Sequence, residues 1–293
     1  MFPKLIVTDT HLHERLPRTR IDEFTILMRK LRITAAKHQC QSLTVLGDLY
    51  DRNTLVSIRL IMAIADMFGV FKSVDLLVGN HDTPIKGYEY SLLDIFRLAG
   101  LNVVSKPTVI DGCLFLPYYS KDWPSGSYRM AFMHKDIVEL NPYNDKEWAL
   151  NLDDMPAAPL LFNGHLHKNA EIAKDGKKLI QVGSPYPCTW GDEYAFNRFA
   201  YVVQADGSYE RIELNITADS DAPDAESFAL RRVRTEKTEA TYKDVAVIIE
   251  DIKQNTLRVD DCLNAINVEP LVKRLIRSVV RNADSAELDG DKL

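Results

Sequence analysis

The chain has 293 residues, 46% of them hydrophobic, and a formal net charge of −6 from 36 Lys and Arg against 42 Asp and Glu. That length accommodates one large domain and a small one around an ample core. The negative balance excludes a global attraction for phosphates, so any nucleic-acid contact must come from a local patch, a metal or a partner. In chain order, short apolar runs alternate with helical patterns. KLIV (4–7) reads as a strand, and residues 20–37 carry a helical stripe of Ile21, Phe24, Leu27, Met28 and Leu31. LTVL (43–46) is a second strand, followed by a helix expected to start at an Asn53 N-cap and run through Ile61, Ile64 and Phe68. VDLLV (74–78) is a third, and the next helix has a capping-box pair, Ser91 and Asp94, with Gly100 at its stop. Further strands are expected at 129–133, 159–162 and 179–182, then a hairpin of FAYVV and YERIEL turning at Asp206-Gly207.

This alternation indicates an α/β or layered α/β/α domain over residues 1–217. Residues 218–226 form an acidic, proline-containing linker to a small C-terminal helical or α+β extension, 218–293. It holds a strand-like run at 228–233, helical patterns at 241–254 and 268–281, and a polar tail from Asn282 that reads as disordered. Cys40, Cys113, Cys188 and Cys262 are scattered without a CxxC pair, so neither a disulfide framework nor a zinc ribbon is indicated. No run reaches the roughly 18 apolar residues of a membrane span. Met1 leads into KLIV without a basic region or cleavage site, and the expected location is cytoplasmic.

The chemistry lies just past the strands. The first releases Asp9 and His11, the second Gly47-Asp48, the third Asn80-His81, AFM releases His134, and LLF releases His165 and His167. In open α/β sheets ligands bind beyond the carboxyl ends of the strands, so these residues converge if the strands are neighbours. Imidazole, carboxylate and amide oxygen without thiolate suit Mn, Fe or Zn in a catalytic site. Eight candidates exceed the needs of one ion. They suit two ions roughly 3.5–4 Å apart sharing a carboxylate, an arrangement used in phosphoryl hydrolysis.

The order D-x-H, GD-x-x-D, GNH-D, a lone His and G-H-x-H resembles the calcineurin-like metallophosphoesterase superfamily, whose fold is a layered α/β/α sandwich of two sheets flanked by helices. The resemblance implies that Asp9, His11 and His167 bind one divalent ion and Asn80, His134 and His165 the other, with Asp48 as bridge. His81 is implied to be catalytic, contacting the scissile phosphate rather than a metal. Mn2+ is the expected ion, with Fe, Zn or Mg also compatible. The segment LIQVGSPYPCTWGDEYAFNRFAYVV and the GDLYD form look like the nuclease subunit of SbcCD-type DNA repair exonucleases, phage-like members above all. A DNA exo- or endonuclease working with an SMC-like ATPase of the SbcC type is thereby implied, with a homodimer left open and no membrane partner. The residues that contact DNA are unassigned. The alternative is a stand-alone phosphatase or phosphodiesterase acting on nucleotides or other small phosphoesters.

Competing readings attach to single pieces. DTHLH (9–13) also looks like the metal pair of amidohydrolase barrels with His13 as a ligand, but that leaves GDLYD and GNHD unexplained. His13 and His38 read as surface residues, Asp51 and Asp82 as loop-positioning hydrogen-bond acceptors, and Trp123, Trp148 and Trp190 as packing residues. Leu271, Val272, Leu275, Ile276, Val279 and Val280 form one stripe of the helix expected at 268–281, with Lys273, Arg274, Arg277 and Arg281 beyond it.

Overall fold

The structure, a computed structural model, describes residues 2–13, 20–51, 56–83, 90–141, 147–188, 197–214 and 216. The expected linker and C-terminal extension, Asn53 and Trp190 lie outside these residues.

Three successive strand–helix units build the first sheet. β1 (Lys4–Val7) leads into α1 (Ile21–His38), β2 (Ser42–Val45) into α2 (Ile58–Phe68), and β3 (Ser73–Leu77) into a 3-10 turn (Leu92–Asp94) that continues as α3 (Ile95–Leu98) before β4 (Asn102–Val104). β1 to β4 are parallel and adjacent in that order. The β11 (Phe199–Val203) and β12 (Tyr209–Glu213) hairpin joins antiparallel on the free side of β1 and completes six strands. Phe24, Phe68 and Phe96, one from each helix, meet edge-on at ring separations of 6.2 and 6.4 Å. The helix ends follow local chemistry. α1 carries Asp22 and Glu23 in its first turn and Lys37 and His38 in its last, matching its dipole, and stops at Gln39 in the left-handed region. α2 is capped by Ser57, whose Oγ accepts from Leu60 N at 3.1 Å, so it starts later than the expected Asn53 cap. The Ser91–Asp94 capping box is present as expected.

The second sheet has the order β5 (Thr108–Ile110), β6 (Cys113–Leu116), β7 (Met130–Met133), β8 (Leu160–Asn163), β10 (Lys177–Gln181), β9 (Ala170–Lys174). β6, β7, β8 and β10 are parallel, and a hairpin partner closes each edge. Side chains of both sheets form a shared core, with Ile6, Leu46 and Tyr201 packed among Phe115, Phe132, Phe162 and Ile180. The outer face of the second sheet departs from the expected helical layer. Among the described residues it is covered by irregular chain, with Tyr128, Ile137, Met155 and Ala158 buried against Leu114, Ala131, Leu161 and Leu179 and Trp123 packed alongside. These segments lack a 3.6-residue apolar period, and scattered apolar side chains do the covering instead.

No helix among the described residues is long and apolar enough to cross a membrane. The carboxyl ends of β1, β2 and β3 and those of β7 and β8 meet at one edge of the two-sheet stack, where His165 N donates to Asp9 Oδ2 at 3.0 Å.

Candidate metal centre

Asp9, His11, Asp48, Asn80, His81, His134, His165 and His167 all converge at this edge. Three overlapping groups bring ligand-type atoms within 4.8 Å of one another: Asp9, His11 and His167; His11, Asp48 and His81; Asp48, His134 and His165. His167 Nε2 lies 3.0 Å from His11 Nε2. Asn80 Oδ1 lies 3.3 Å from His134 Nε2 and 3.0 Å from His165 Nδ1. Asp48 Oδ2 is 3.8 Å from His11 Nε2 and 3.2 Å from His134 Nε2, so one carboxylate faces both clusters. His81 groups with His11 and Asp48, its ring edge-on to His11 at 4.7 Å. His13 enters none of these groups.

The backbone bends sharply to make this convergence. Asp9, His11, Asp48 and His165 have φ of 51°, 42°, 49° and 79°, in the left-handed region where a Cβ is disfavoured. Such conformations persist only where surrounding bonds over-determine them. Here Asp9 N donates to Gly47 O at 3.1 Å and His11 N to Asp48 O at 3.0 Å, while Asp9 Oδ2 accepts from Thr8 Oγ1 and from His165 N. Asp48 Oδ1 accepts from His81 N at 2.9 Å. Asp82, fully buried, ties the loops after β2 and β3 together by accepting from Tyr50 N at 3.1 Å and Gly79 N at 2.9 Å. Burial, then the charge of Asp48, pushes its carboxyl up to about 7.

The protonation pattern fits cation binding. A carbonyl can only accept, so the contacts of His134 Nδ1 with Leu46 O and of His81 Nδ1 with Asp51 O place a proton on each Nδ1. For His134 this leaves Nε2 facing the acceptor oxygens of Asp48 and Asn80, where either a proton or a cation would be held. Burial pushes His11 down to about 4 against the opposing pull of Asp48 and Asp9, which keeps it neutral as a ligand must be. Burial also opposes a charge on His134, but Asp48 overrides it and lifts His134 to about 9. Conversely, Asp48 is held well below the carboxylate range although burial alone would raise it, chiefly by His134. Buried negative charge here draws in a proton, the demand a divalent cation would meet. The imidazole, carboxylate and amide donors therefore fit hard or borderline divalent ions.

Sequence reasoning did not identify the residues that hold the donors. Gln181 at the end of β10 donates to Gly164 O at 2.8 Å and Leu166 O at 2.9 Å, fixing the loop that carries both histidines. Asn163 joins Gln181 Oε1, Lys135 N and Lys135 O in one buried network. Lys135, fully buried, donates Nζ to Tyr118 O and Ser120 O, and burial pulls it down to about 7. The Tyr118 ring it anchors lies 4.9 Å from His165. These are polar residues in or beside apolar strands, and only their burial distinguishes them from solvated side chains.

Residues 2–202 match the calcineurin-like phosphoesterase family. No curated protein matches the chain. Among solved structures, it resembles a novel archaeal phosphodiesterase at 15% identity and a TM-score of 0.40, covering 72% of this chain and 98% of that one. It also resembles the Pseudomonas putida nuclease MPE at 17% identity and a TM-score of 0.37, covering 72% and 88%. With the motifs in order and their side chains gathered at one edge of two packed sheets, this chain belongs to the calcineurin-like phosphoesterase family.

Proposed function

We propose that the protein is a dinuclear-metal phosphodiesterase that hydrolyses DNA, acting as the nuclease subunit of an SMC-like ATPase complex. The observation that carries the two-ion reading is Asp48, whose one buried carboxylate faces a donor cluster on either side. Asp9, His11 and His167 would hold one ion, Asn80, His134 and His165 the other, with Asp48 between them. Bound there, such ions would supply Lewis acidity for hydrolysis of a phosphodiester. His81 has the reactive role among the side chains. With Nδ1–H held by Asp51 O, the ring in its doubly protonated form would use Nε2–H to contact the phosphate or pass that proton to the leaving oxygen.

DNA as substrate is supported by the segment after G-H-x-H, and the acidic net charge makes the metal centre and a partner the sources of affinity for the strand. The test is hydrolysis of linear duplex DNA and of a small chromogenic phosphodiester by the metal-loaded protein. Activity on both, abolished by EDTA and restored better by Mn than by Mg, is expected. Undiminished activity in excess chelator would end the two-ion reading, and hydrolysis of the small ester alone would select a stand-alone phosphoesterase. For the partner, the apolar stripe at 268–281 suits the helix-in-groove mode. Deleting 266–293 is expected to retain metal-dependent diester cleavage and abolish association with an SMC-like ATPase of the same genome. Normal association of the shortened chain would remove this segment as the docking element.

A further inference from the structure

Beside the donor clusters lies a cleft of about 380 Å3. It is lined by His165 and His167, one member of each donor cluster, together with Leu140, Asn141, Leu166, Lys168 and Ala170. A phosphate held by both clusters would therefore lie beside the cleft. We propose that this cleft receives the nucleoside esterified to the scissile phosphate, an assignment that rests on the phosphodiesterase reading above.

Size, chemistry and rigidity all support this occupant. Pockets for small ligands start at roughly 300 Å3, which suits one nucleoside rather than an extended chain. Leu140, Leu166 and Ala170 supply apolar area for a sugar and base, and the Lys168 ammonium suits the next phosphate along a strand. The rim is also prebuilt. Gln181 holds Leu166 O, and Ser184 N holds His167 O at 3.0 Å. Gly183, at φ +77°, approaches so closely that a Cβ there would come within 2.8 Å of His167 O. On the opposite side Asn141 Nδ2 donates to Asp136 Oδ1 at 3.0 Å, and Asp136 Oδ2 faces His165 Nε2 at 3.7 Å. The cleft wall is thus connected to a ligand-type imidazole, and a wall held this way keeps its shape without a bound group. A simple phosphomonoester would leave the cleft unfilled.

The experiment compares thymidine 5′-(4-nitrophenyl) phosphate with bis(4-nitrophenyl) phosphate on the full-length Mn-loaded protein. Wild type is expected to favour the nucleotide ester by about tenfold or more in kcat/KM, the usual scale for one filled apolar subsite. Ala170→Trp, which fills the cleft, and Lys168→Ala, which removes its cation, should each drive that ratio toward one through KM, with metal content measured on the same preparations. A ratio unchanged in both variants overturns the proposal. If neither ester is hydrolysed, the phosphodiesterase reading fails, and calorimetric binding of thymidine 5′-monophosphate then decides the cleft alone. Binding weakened about tenfold in the variants supports the cleft, and equal binding overturns it. A short oligodeoxynucleotide run in parallel distinguishes a DNA strand from a free nucleotide as the source of the nucleoside.

Discussion

Four donor residues, Asp9, His11, Asp48 and His165, adopt left-handed backbone at a cost of order 1–3 kcal/mol each, less for the aspartates, and the return is convergence rather than stability. Within that cluster, individual side chains should separate by role. Asp48 faces both donor groups, so Asp48→Asn removes the negative charge they share and is expected to lower metal content and turnover together. His81 differs because its Nδ1 is engaged by Asp51 O and its backbone N–H by Asp48, which orients the ring without committing Nε2. His81→Ala is expected to keep both ions while turnover falls by about 10²–10⁴, the usual worth of a positioned acid–base group. Metal analysis and nuclease assay on the same preparations distinguish the outcomes. Loss of one ion in the His81 variant would make it a ligand, and near-normal turnover would strike it from the catalytic residues.

At the scale of elements, the site is more legible in the sequence than the strands around it. Asp, Asn and His behind apolar runs are conspicuous because packing alone does not call for them, whereas β4, β5, β6 and β9 give no such signal. β5 and β9 are three and five residues long, sit at sheet edges and expose much of their surface, so neither has a clear period-two alternation. Their hairpins are nevertheless encoded in the turns. Asp111-Gly112 and Asp175-Gly176 both have positive φ at each residue, as type I′ turns demand, and join β5 to β6 and β9 to β10. The dipeptide expected to turn the last hairpin, Asp206-Gly207, behaves differently. Only Gly207 is left-handed, and Asp206 instead accepts from Ser208 N at 2.8 Å in a five-residue loop. The motif glycines carry a related lesson, because they are needed for approach between loops. A Cβ on Gly164 would lie 2.3 Å from Thr8 Oγ1, 2.7 Å from Leu46 O and 2.8 Å from His134 Nδ1. Gly164→Ala must therefore push the β8 loop off the β1 and β2 loops. It is expected to weaken metal affinity by roughly 10- to 100-fold and folding by about 1–3 kcal/mol. Gly69→Ala, at the C-terminus of α2 with its nearest contacts at 3.4 Å, is the control and should change neither. Equal metal titrations for the two variants would show that this close approach is dispensable.

Across the described molecule, the two donor clusters link the two sheets. Asp9 and His11 follow a strand of the first sheet and His167 one of the second; Asp48 follows the first, and His134 and His165 the second. The sheets otherwise hold together through the apolar core between them, and the first sheet carries a buried ion pair of its own. There Lys4 Nζ, at the start of β1, meets Asp75 Oδ2 of β3 at 2.6 Å. At the edge with the donor clusters, Asp48 instead buries a negative charge that draws a proton onto His134. Ions binding there act on folding by mass action, since the unfolded chain cannot assemble donors from five strand ends. With Mn at about a hundred times its dissociation constant, one site adds roughly 2.7 kcal/mol. In a domain of this size that corresponds to a rise of roughly 5–10 °C in the unfolding midpoint. His167→Ala removes the only second-sheet donor of its cluster and should lose the share contributed by that ion while keeping the rest. The measurement is thermal unfolding of wild type and variant in Mn and in EDTA. Identical midpoints for wild type in both conditions would mean that these side chains converge without binding ions tightly, and the reading of this edge as a metal centre would fall with that result.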